Sequence, residues 1–314
     1  MIVICEWNAS SYHLGGRLVT DGARIALQAA EGPSSLIERI AAKARPPCLV
    51  LFQVNLSYPE RVPCARESVA EQLRARGYAV WNARICDITK RNVQRWNRAL
   101  GLPGCEAERD GDPGERLIIK NNFNAHARAE KNLTDREREL LGYPPYQQSP
   151  IHDQPEYPVL LRHEVPQSFW DSPDLAIERF IGNVGGLFAR IYFAGTTVIV
   201  SSGRSETPVR RMADCRQRFD ILTERHVVDD PQQCARLPEP LLGALRGAVK
   251  MADAMSLDFG CIDVVMDDDD RSYVVDINCT PFWGRHEHPE FFAHLRSGFE
   301  HVLPSMGAEE HASA

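Results

Sequence analysis

The stretch Gly260–Gly284, GCIDVVMDDDDRSYVVDINCTPFWG, has the pattern of two apolar strands around an acidic turn. Asp263 lies in the first strand, and the second strand ends in Asp276-Ile277-Asn278. Residues on opposite sides of a hairpin turn return to the same level of the sheet. Asp276 and Asn278 are two positions apart, so they project from the same face. Three oxygen-bearing side chains are therefore expected to converge beside otherwise apolar strands.

These acids need a partner if they point inward. An unpaired carboxylate among apolar residues is costly to desolvate, so something must neutralise it. Hard oxygen ligands suit Mg²⁺, which usually keeps several waters and bridges to phosphates. The alternative is a hairpin whose acids face solvent. The four acids Asp267–Asp270 are interpreted in that way, as a solvated hairpin tip.

The first part of the chain alternates between strand and helix signals. Apolar runs predict three strands, and amphipathic spacing predicts two helices between them. The strands are Met1–Cys5, Cys48–Val54 and Ala79–Ile85, and the helices are Arg24–Ala44 and Arg66–Arg76. This repetition predicts a small parallel α/β layer over residues 1–86.

The middle and the last part of the chain have a different organisation. Residues 122–158 are polar with proline breaks, which favours a mobile lid or a loosely packed helical excursion. Other patterns predict helices at Lys90–Leu100 and Pro238–Leu257, strands at Leu117–Asn121 and Ala176–Ile181, and a hairpin of Ala189–Phe193 with Thr196–Ser201.

Composition excludes some classes of partner. The 314 residues include 36 basic and 43 acidic side chains, a formal net charge of −7. Such a charge disfavours binding to a nucleic-acid backbone, although it allows a local basic pocket. The nine cysteines form no CxxC pair, and no export signal or run of 18 apolar residues is present. We therefore expect a cytoplasmic protein with no membrane partner.

Five motifs, in order over residues 87–284, resemble those of the ATP-grasp superfamily. Any one of them is weak, but the ordered set is specific. They are Lys90 with Gly101-Leu102-Pro103, Lys120 in the strand LIIK, the segment Glu178-Arg179-Phe180-Ile181, Arg190 with Arg204 beyond its hairpin, and Asp263 with Asp276, Asn278 and Pro281. The chain departs from the family where a glycine-rich loop is usual, since it has Asn121–His126 there.

The resemblance implies a role for each matched residue, with ATP and Mg²⁺ as cofactors. Lys90 and Lys120 would contact the α- and β-phosphates, and the segment Glu178, Arg179, Phe180 and Ile181 would hold the adenine. Asn183 is a candidate for the ribose. Asp263, Asp276 and Asn278 would bind two Mg²⁺ ions. Arg190 or Arg204 would stabilise the transferred phosphoryl group or a later oxyanion.

The resemblance also implies a fold of combined α/β and α+β class, the ATP-grasp fold. An N-terminal α/β (pre-ATP-grasp) domain is expected at 1–86 and a small lid domain at 87–181. A C-terminal domain carrying the metal site is expected at 182–314, with ATP between the last two. A homodimer is left open.

The expected reaction is that of a ligase which activates a carboxylate as an acylphosphate, releases ADP and makes an amide or peptide bond with an amine. Substrates would be small molecules or peptides, bound by loops 8–17, 122–158 and 282–290. One alternative is a kinase acting on a hydroxyl, because the Asp-Ile-Asn-x-x-Pro ending is also similar to inositol-phosphate kinases. The scarcity of lysine in the second half favours the ligase. A nucleotide-binding regulatory protein is the third reading.

Overall fold

A computed structural model describes residues 1–7, 14–19, 22–54, 56–57, 66–145, 149–151, 156–205, 207, 212, 215, 218–281 and 288–308. Its described part contains three β-sheets, of four, three and five strands, together with ten α-helices. The predicted combination of α/β and α+β architecture is confirmed. No helix within the described ranges has the length and apolar character needed to cross a bilayer.

The first sheet is parallel throughout, as predicted, with the order β2-β1-β3-β4. Every residue of its β3 is buried, which is typical of a parallel strand covered on both faces. The strands are β1 (Ile2–Glu6), β2 (Ala23–Ala26), β3 (Cys48–Gln53) and β4 (Tyr78–Trp81), and the helices are α1 (Leu14–Leu18), α2 (Pro33–Lys43) and α3 (Arg66–Arg74).

The predicted helix over Arg24–Ala44 is wrong in its first part. Residues Ala23–Ala26 pair in parallel with β1, and Arg24 forms an ion pair with Glu6 at 3.1 Å. The helix begins only at Pro33, whose ring suits the first helical turn. The apolar spacing of this stretch fits the repeat of a helix as well as that of a strand, and pairing with β1 makes its first part a strand.

The second sheet is small and antiparallel, with the order β6-β5-β7. Its strands are β5 (Arg116–Asn121), β6 (Val159–Leu161) and β7 (Leu175–Arg179). The neighbouring helices are α4 (Lys90–Ala99), α5 (Arg128–Lys131), α6 (Asp135–Leu141) and α7 (Gln167–Trp170). Helix α4, predicted from the sequence, packs on the third sheet through Val93, and Asn97 Nδ2 donates to the Val274 carbonyl at 2.9 Å.

The α5–α6 segment packs more tightly than its polar sequence suggests. Ala129, Leu133, Leu141 and Tyr143 are buried and belong to the same apolar cluster as the side chains of the first sheet. Thr134 and Glu137 form a reciprocal capping box at the start of α6. The described part of this segment is therefore anchored on the first sheet.

The third sheet is antiparallel, with the order β10-β9-β8-β11-β12. Both predicted hairpins, β8–β9 and β11–β12, are confirmed. The strands are β8 (Leu187–Ala194), β9 (Thr197–Arg204), β10 (Arg218–Glu224), β11 (Phe259–Met266) and β12 (Ser272–Asn278), and the helices are α8 (Pro231–Cys234), α9 (Glu239–Met255) and α10 (Pro289–Ala308).

Side-chain alternation gives the third sheet two different faces. One face, with Val198, Val200 and Ile262, packs against α9. The other face packs Tyr192 and Phe259 into a cluster that α10 shares with the first sheet. Helix α10 thus lies between two sheets and covers only part of this second face.

Candidate functional site

A row of polar side chains crosses the second face of the third sheet. In backbone register, Asp220 lies opposite Ser201, Ser201 opposite Arg190, Arg190 opposite Asp263, and Asp263 opposite Asp276. Residues that are directly opposite in neighbouring strands share a face, so these five side chains project together. We call this set the polar row.

Ion pairs join members of the polar row. Arg190 donates from Nε and Nη2 to the two carboxylate oxygens of Asp263, at 2.5 and 2.7 Å, the two-pronged geometry of a strong charge-assisted pair. Asp220 Oδ1 accepts from Ser201 Oγ at 2.6 Å and from Arg218 Nε at 3.0 Å. The four charged side chains of these pairs are 18–25% exposed, so the row borders solvent.

Asp276 is the acid of the polar row that lacks a full partner. Its Oδ1 is buried and makes no hydrogen bond in the described part of the chain, and the Lys90 ammonium lies 3.5 Å from it. Burial raises the pKa of Asp276, and the opposing effect of Lys90 does not cancel this rise. A carboxylate oxygen in this state has unused capacity to bind a cation.

Lys90, in the first turn of α4, is held by the turn that follows β5. Its Nζ donates to the Phe123 carbonyl at 3.4 Å and to Asn124 Oδ1 at 3.3 Å. Asn124 Nδ2 in turn donates to the Ile277 carbonyl of β12 at 2.8 Å. Burial acts to lower the pKa of Lys90, but Asp276 together with Tyr157 and Glu178 outweighs burial and the pKa is raised. The ammonium is therefore buried and charged beside Asp276.

Lys120 forms a buried ion pair with Glu178. The Nζ–Oε2 distance is 2.5 Å, and Glu178 Oε1 accepts from Gln94 Nε2 at 3.1 Å. Burial acts to lower the pKa of Lys120, but Glu178 together with Cys105 and Asp276 outweighs burial and the pKa rises. Gln94 lies one turn after Lys90 on α4, so the same helix face supports both lysines.

The segment Glu178–Ile181, predicted to hold adenine, ends β7. The backbone N–H groups of Arg179 and Phe180 donate to neighbouring carbonyls at 2.6 and 2.9 Å. The Arg116 guanidinium lies 4.6 Å from the centroid of the Phe180 ring. The Ile181 amide has no hydrogen-bond partner among the described residues. The segment therefore offers one unused backbone donor.

Arg204, proposed from the sequence as a second catalytic cation, does not join the polar row. By strand alternation it shares the face of Val198 and Val200, opposite to Arg190. It is exposed, and its Nη1 donates to the Gly185 carbonyl at 3.1 Å.

Asn183, the candidate for the ribose, closes a turn. Its Nδ2 donates to the carbonyls of Leu187 and Met266 at 3.0 and 2.7 Å, and its Oδ1 accepts from the Leu187 amide at 2.8 Å. These bonds engage both ends of the side-chain amide. The Asn183 side chain therefore holds the backbone of this turn in place, and its hydrogen-bonding groups are already used there.

The three predicted metal ligands lie at neighbouring positions of β11 and β12, and they differ in availability. Asn278 Oδ1 already accepts from the amide and the hydroxyl of Thr280 at 2.8 and 3.2 Å. Asp263 is bound to Arg190, but a carboxylate has about four acceptor positions, so it retains capacity. The Oδ1 of Asp276, which makes no hydrogen bond in the described part of the chain, is the feature that best fits a divalent cation. In the described residues no group of three His, Cys, Asp or Glu side chains forms a metal cluster.

Three side chains around the polar row were missed in the sequence: Ser201, Arg218 and Asp220. The only indication of them in the sequence was a polar residue at alternate positions of two stretches that contain both polar and apolar residues, TVIVSSGR and RFDILTE. Which face they occupy depends on the pairing of β9 with β8 and of β10 with β9.

Parts of the loops predicted to bind substrate, residues 8–13, 146–148, 152–155 and 282–287, lie outside the described residues.

Comparison with known proteins gives structural likenesses only. No family model matches the sequence, and no curated protein matches it. An L-amino acid ligase from Bacillus licheniformis is similar with a TM-score of 0.45 and 13% identity, covering 88% of this chain and 66% of its own. The macrocyclase MdnC from Microcystis aeruginosa MRC, bound with precursor peptide MdnA, is similar with a TM-score of 0.44, 13% identity and coverage of 97% and 100%.

A RimK domain ATP-grasp protein from Sphaerobacter thermophilus is also similar, with a TM-score of 0.45, 12% identity, and coverage of 96% of this chain and 99% of its own. At such values a likeness establishes neither family nor reaction. The functional reading therefore rests on the residues of this chain.

The Lys120–Glu178 pair predicts a specific pattern of stability. Glu178→Ala leaves Lys120 buried without a counter-ion, and breaking a buried pair in this way costs about 3–5 kcal/mol. We expect the urea midpoint to fall accordingly, and the double variant Lys120→Met/Glu178→Leu to recover most of the loss. Glu139→Ala, which removes one partner of a pair with both side chains 70% exposed, is the control and should change little. Equal midpoints for Glu178→Ala and Glu139→Ala would contradict this reading.

Proposed function

We propose that this chain is an ATP-grasp ligase, which activates a carboxylate with ATP as an acylphosphate, releases ADP and joins the acyl group to an amine. The observation that carries the proposal is the ion pair at 3.5 Å between the Lys90 ammonium and Asp276 Oδ1, a buried oxygen without a hydrogen bond among the described residues, with Lys120 close by. A polyphosphate would pair with the positive charges of the lysines, and a divalent cation would pair with the negative charge of Asp276.

The two lysines would hold the phosphates. Each ammonium has three donors, and the pair with Glu178 uses only one of those on Lys120. Both groups keep their positive charge when buried, because neighbouring carboxylates raise their pKa. The unused Ile181 amide supports the assignment of the β7 end to the adenine ring, whose nitrogens accept hydrogen bonds.

Asp276 and Asp263 are the residues that would hold Mg²⁺, and Asn278 would join them if its oxygen left Thr280. When bound, the ion supplies neutralisation of phosphate charge. Two protein carboxylates, with the remaining ligands from water and phosphate, are usual for Mg²⁺.

The reaction needs activation because a carboxylate oxygen is a poor leaving group. In the proposed first step a carboxylate oxygen of the substrate attacks the γ-phosphorus and ADP departs. The amine nitrogen then attacks the acyl carbon, and phosphate departs with the bonding electrons. Arg190 and Arg218 supply positive charge on the face where negative charge develops. Arg190 is already fixed by Asp263, so it would not need to reorganise during the reaction.

Product analysis separates the ligase from its alternatives. Purified protein with MgATP and candidate substrates should release ADP and free phosphate only when a carboxylate and an amine are both present. Label from the γ-phosphate that remains on an acceptor would indicate the hydroxyl kinase instead. Mg²⁺-dependent ATP binding without turnover of any substrate pair would support the regulatory protein.

Asp276→Asn tests the metal assignment. The substitution keeps the shape of the side chain and removes the charge that would hold Mg²⁺, so we expect ADP release to fall at least about 100-fold, the usual scale for a key electrostatic group. Asp269→Asn at the exposed hairpin tip is the matched control. Circular dichroism and the urea midpoint check that both variants fold. Near-normal activity of a folded Asp276→Asn protein would refute the assignment.

The third sheet predicts which arginines matter. Arg190→Ala and Arg218→Ala remove cations from the face of the polar row, and we expect kcat to fall about 100-fold for the first and about tenfold or more for the second. Arg204→Ala removes a cation from the opposite face and should leave kcat within about twofold. A larger loss for Arg204→Ala than for Arg218→Ala would show that the site uses the other face.

A further inference from the structure

The third sheet has two edge strands, β12 and β10, and their edges are occupied differently. Helix α4 packs on β12, where the carbonyls of Val274 and Ile277 accept hydrogen bonds from the side chains of Asn97 and Asn124 at 2.9 and 2.8 Å. Groups that are used in this way cannot pair with another strand, which is how natural sheets protect an edge.

The outer side of β10 follows from its pairing with β9. Directly after β10, the Arg225 amide donates to the Thr196 carbonyl at 2.8 Å. In an antiparallel ladder, residues that bond to one neighbour alternate with residues that point away from it. The backbone groups of Asp220, Leu222 and Glu224 therefore point away from β9. They make no hydrogen bond with any described residue.

Two large apolar side chains are exposed on the same strand. Phe219 is 57% exposed and Leu222 is 41% exposed. By alternation they project to opposite faces of the sheet. Natural edge strands often carry a lysine, a proline or a bulge that discourages pairing. The strand β10, RFDILTE, has no lysine or proline, and its register with β9 runs without a shift.

The charges of β10 favour antiparallel pairing with a second copy of itself. Outward residues must then meet outward residues, so the two-fold axis lies at a residue and not between two. An axis at Ile221 aligns the whole strand and sets Arg218 opposite the partner's Glu224. An axis at Asp220 sets that acid opposite the partner's Asp220, and an axis at Leu222 sets it opposite the partner's Glu224. Like charges directly opposite are unfavourable, so of these three registers only the first is matched in charge.

We propose that two copies of this chain pair along β10 with the axis at Ile221, which joins their third sheets into one continuous sheet. Asp220 and Leu222 exchange backbone hydrogen bonds with the partner's Leu222 and the partner's Asp220, because these groups point outward. On the face of α9, Ile221 lies opposite the partner's Ile221, and Phe219 lies opposite the partner's Thr223. Pairs of aromatic and β-branched residues stabilise neighbouring strands.

The proposed interface reaches the polar row. Arg218 shares the face of that row, and its side chain is 18% exposed beside Asp220. Glu224 is 42% exposed and lies 3.3 Å from His226 of its own chain, so its carboxylate is open to a partner. The partner's Glu224 therefore borders the proposed active site. Pairing along β10 needs no ligase activity, so the two proposals can fail separately.

Sedimentation equilibrium of the full chain at increasing concentration tests the pairing. We expect a monomer–dimer equilibrium in which the dimer gains as concentration rises. Leu222→Glu sets an acid opposite the partner's Asp220 at both ends of the interface, so it should weaken the dimer at least about tenfold. Val184→Glu makes the same change at a residue that is 97% exposed in a turn away from β10, and it should leave the dimer unchanged.

An exchange of charge tests the register. Glu224→Arg and Arg218→Glu each set like charges opposite one another in a homodimer, so each variant alone should dimerise at least about tenfold more weakly. In an equimolar mixture, each variant chain meets opposite charges in the other at both contacts. A mixed dimer should therefore form with a Kd near that of the unmodified chain. Glu139→Arg reverses a charge on the exposed face of α6 and is the matched control.

Circular dichroism checks that each variant folds. A monomer at every concentration would overturn the proposal, as would unchanged dimerisation of folded Leu222→Glu or Glu224→Arg protein. Absence of a mixed dimer from the two folded charge variants would overturn the register. If Arg218→Glu does not fold, Leu222→Glu and Glu224→Arg decide.

Turnover separates the dimer from the ligase proposal. A dimer that depends on Leu222 and Glu224, in a protein that releases no ADP with any substrate pair, would keep the interface and reject the ligase. A monomer that releases ADP with a carboxylate and an amine would reject the interface and keep the ligase.

Discussion

The antiparallel register of β8, β11 and β12 is the constraint on which the site depends. It sets Arg190, Asp263 and Asp276 side by side on one face of the sheet. The next residue along each strand points to the opposite face and packs on α9. A slip of one residue in any of these strands would send the charged group of that strand into the apolar core, where burial without a partner is costly. The same pairing therefore secures the hydrophobic core and fixes the geometry of the polar row.

The remaining charged groups reach this row through contacts between sheets. Helix α4 packs on β12 and brings Lys90 to within 3.5 Å of Asp276. The turn after β5 is tied to β12 by Asn124, and the second sheet contributes Lys120 and Glu178. Helix α10 holds the first and third sheets together on the other part of the same face. Loss of the packing between these sheets would therefore separate the lysines from the acids.

The sequence predicted the secondary structure correctly where its pattern of apolar residues fitted only one kind of element. The β11–β12 hairpin follows from two apolar runs around an acidic turn, and α4 from a helical stretch that ends before Gly101 and Pro103. The strand β10 did not, because RFDILTE mixes polar and apolar residues and becomes a strand only beside β9. Nearness in sequence to the β8–β9 hairpin favoured Arg204 as a second cation, but only the pairing of strands shows that it lies on the opposite face. The packing of the α5–α6 segment was hidden for a similar reason, since a few apolar side chains in a polar stretch find their partners in the first sheet.

The balance of charge within the cluster bears on whether a nucleotide could bind there without a metal ion. Lys90, Lys120 and Arg190 are matched by Asp276, Glu178 and Asp263, each in an ion pair. This matching explains how a chain of net charge −7 can bury cations at all, because each has a carboxylate within reach. It also means that the cluster has little positive charge in excess. A nucleotide triphosphate bound there would add several negative charges to a nearly neutral group, so the lysines alone could not compensate for them. Asp276 Oδ1, which makes no hydrogen bond in the described part of the chain and has only the Lys90 ammonium at 3.5 Å, is where a divalent cation could supply the missing positive charge, so the proposed nucleotide and the proposed metal belong together.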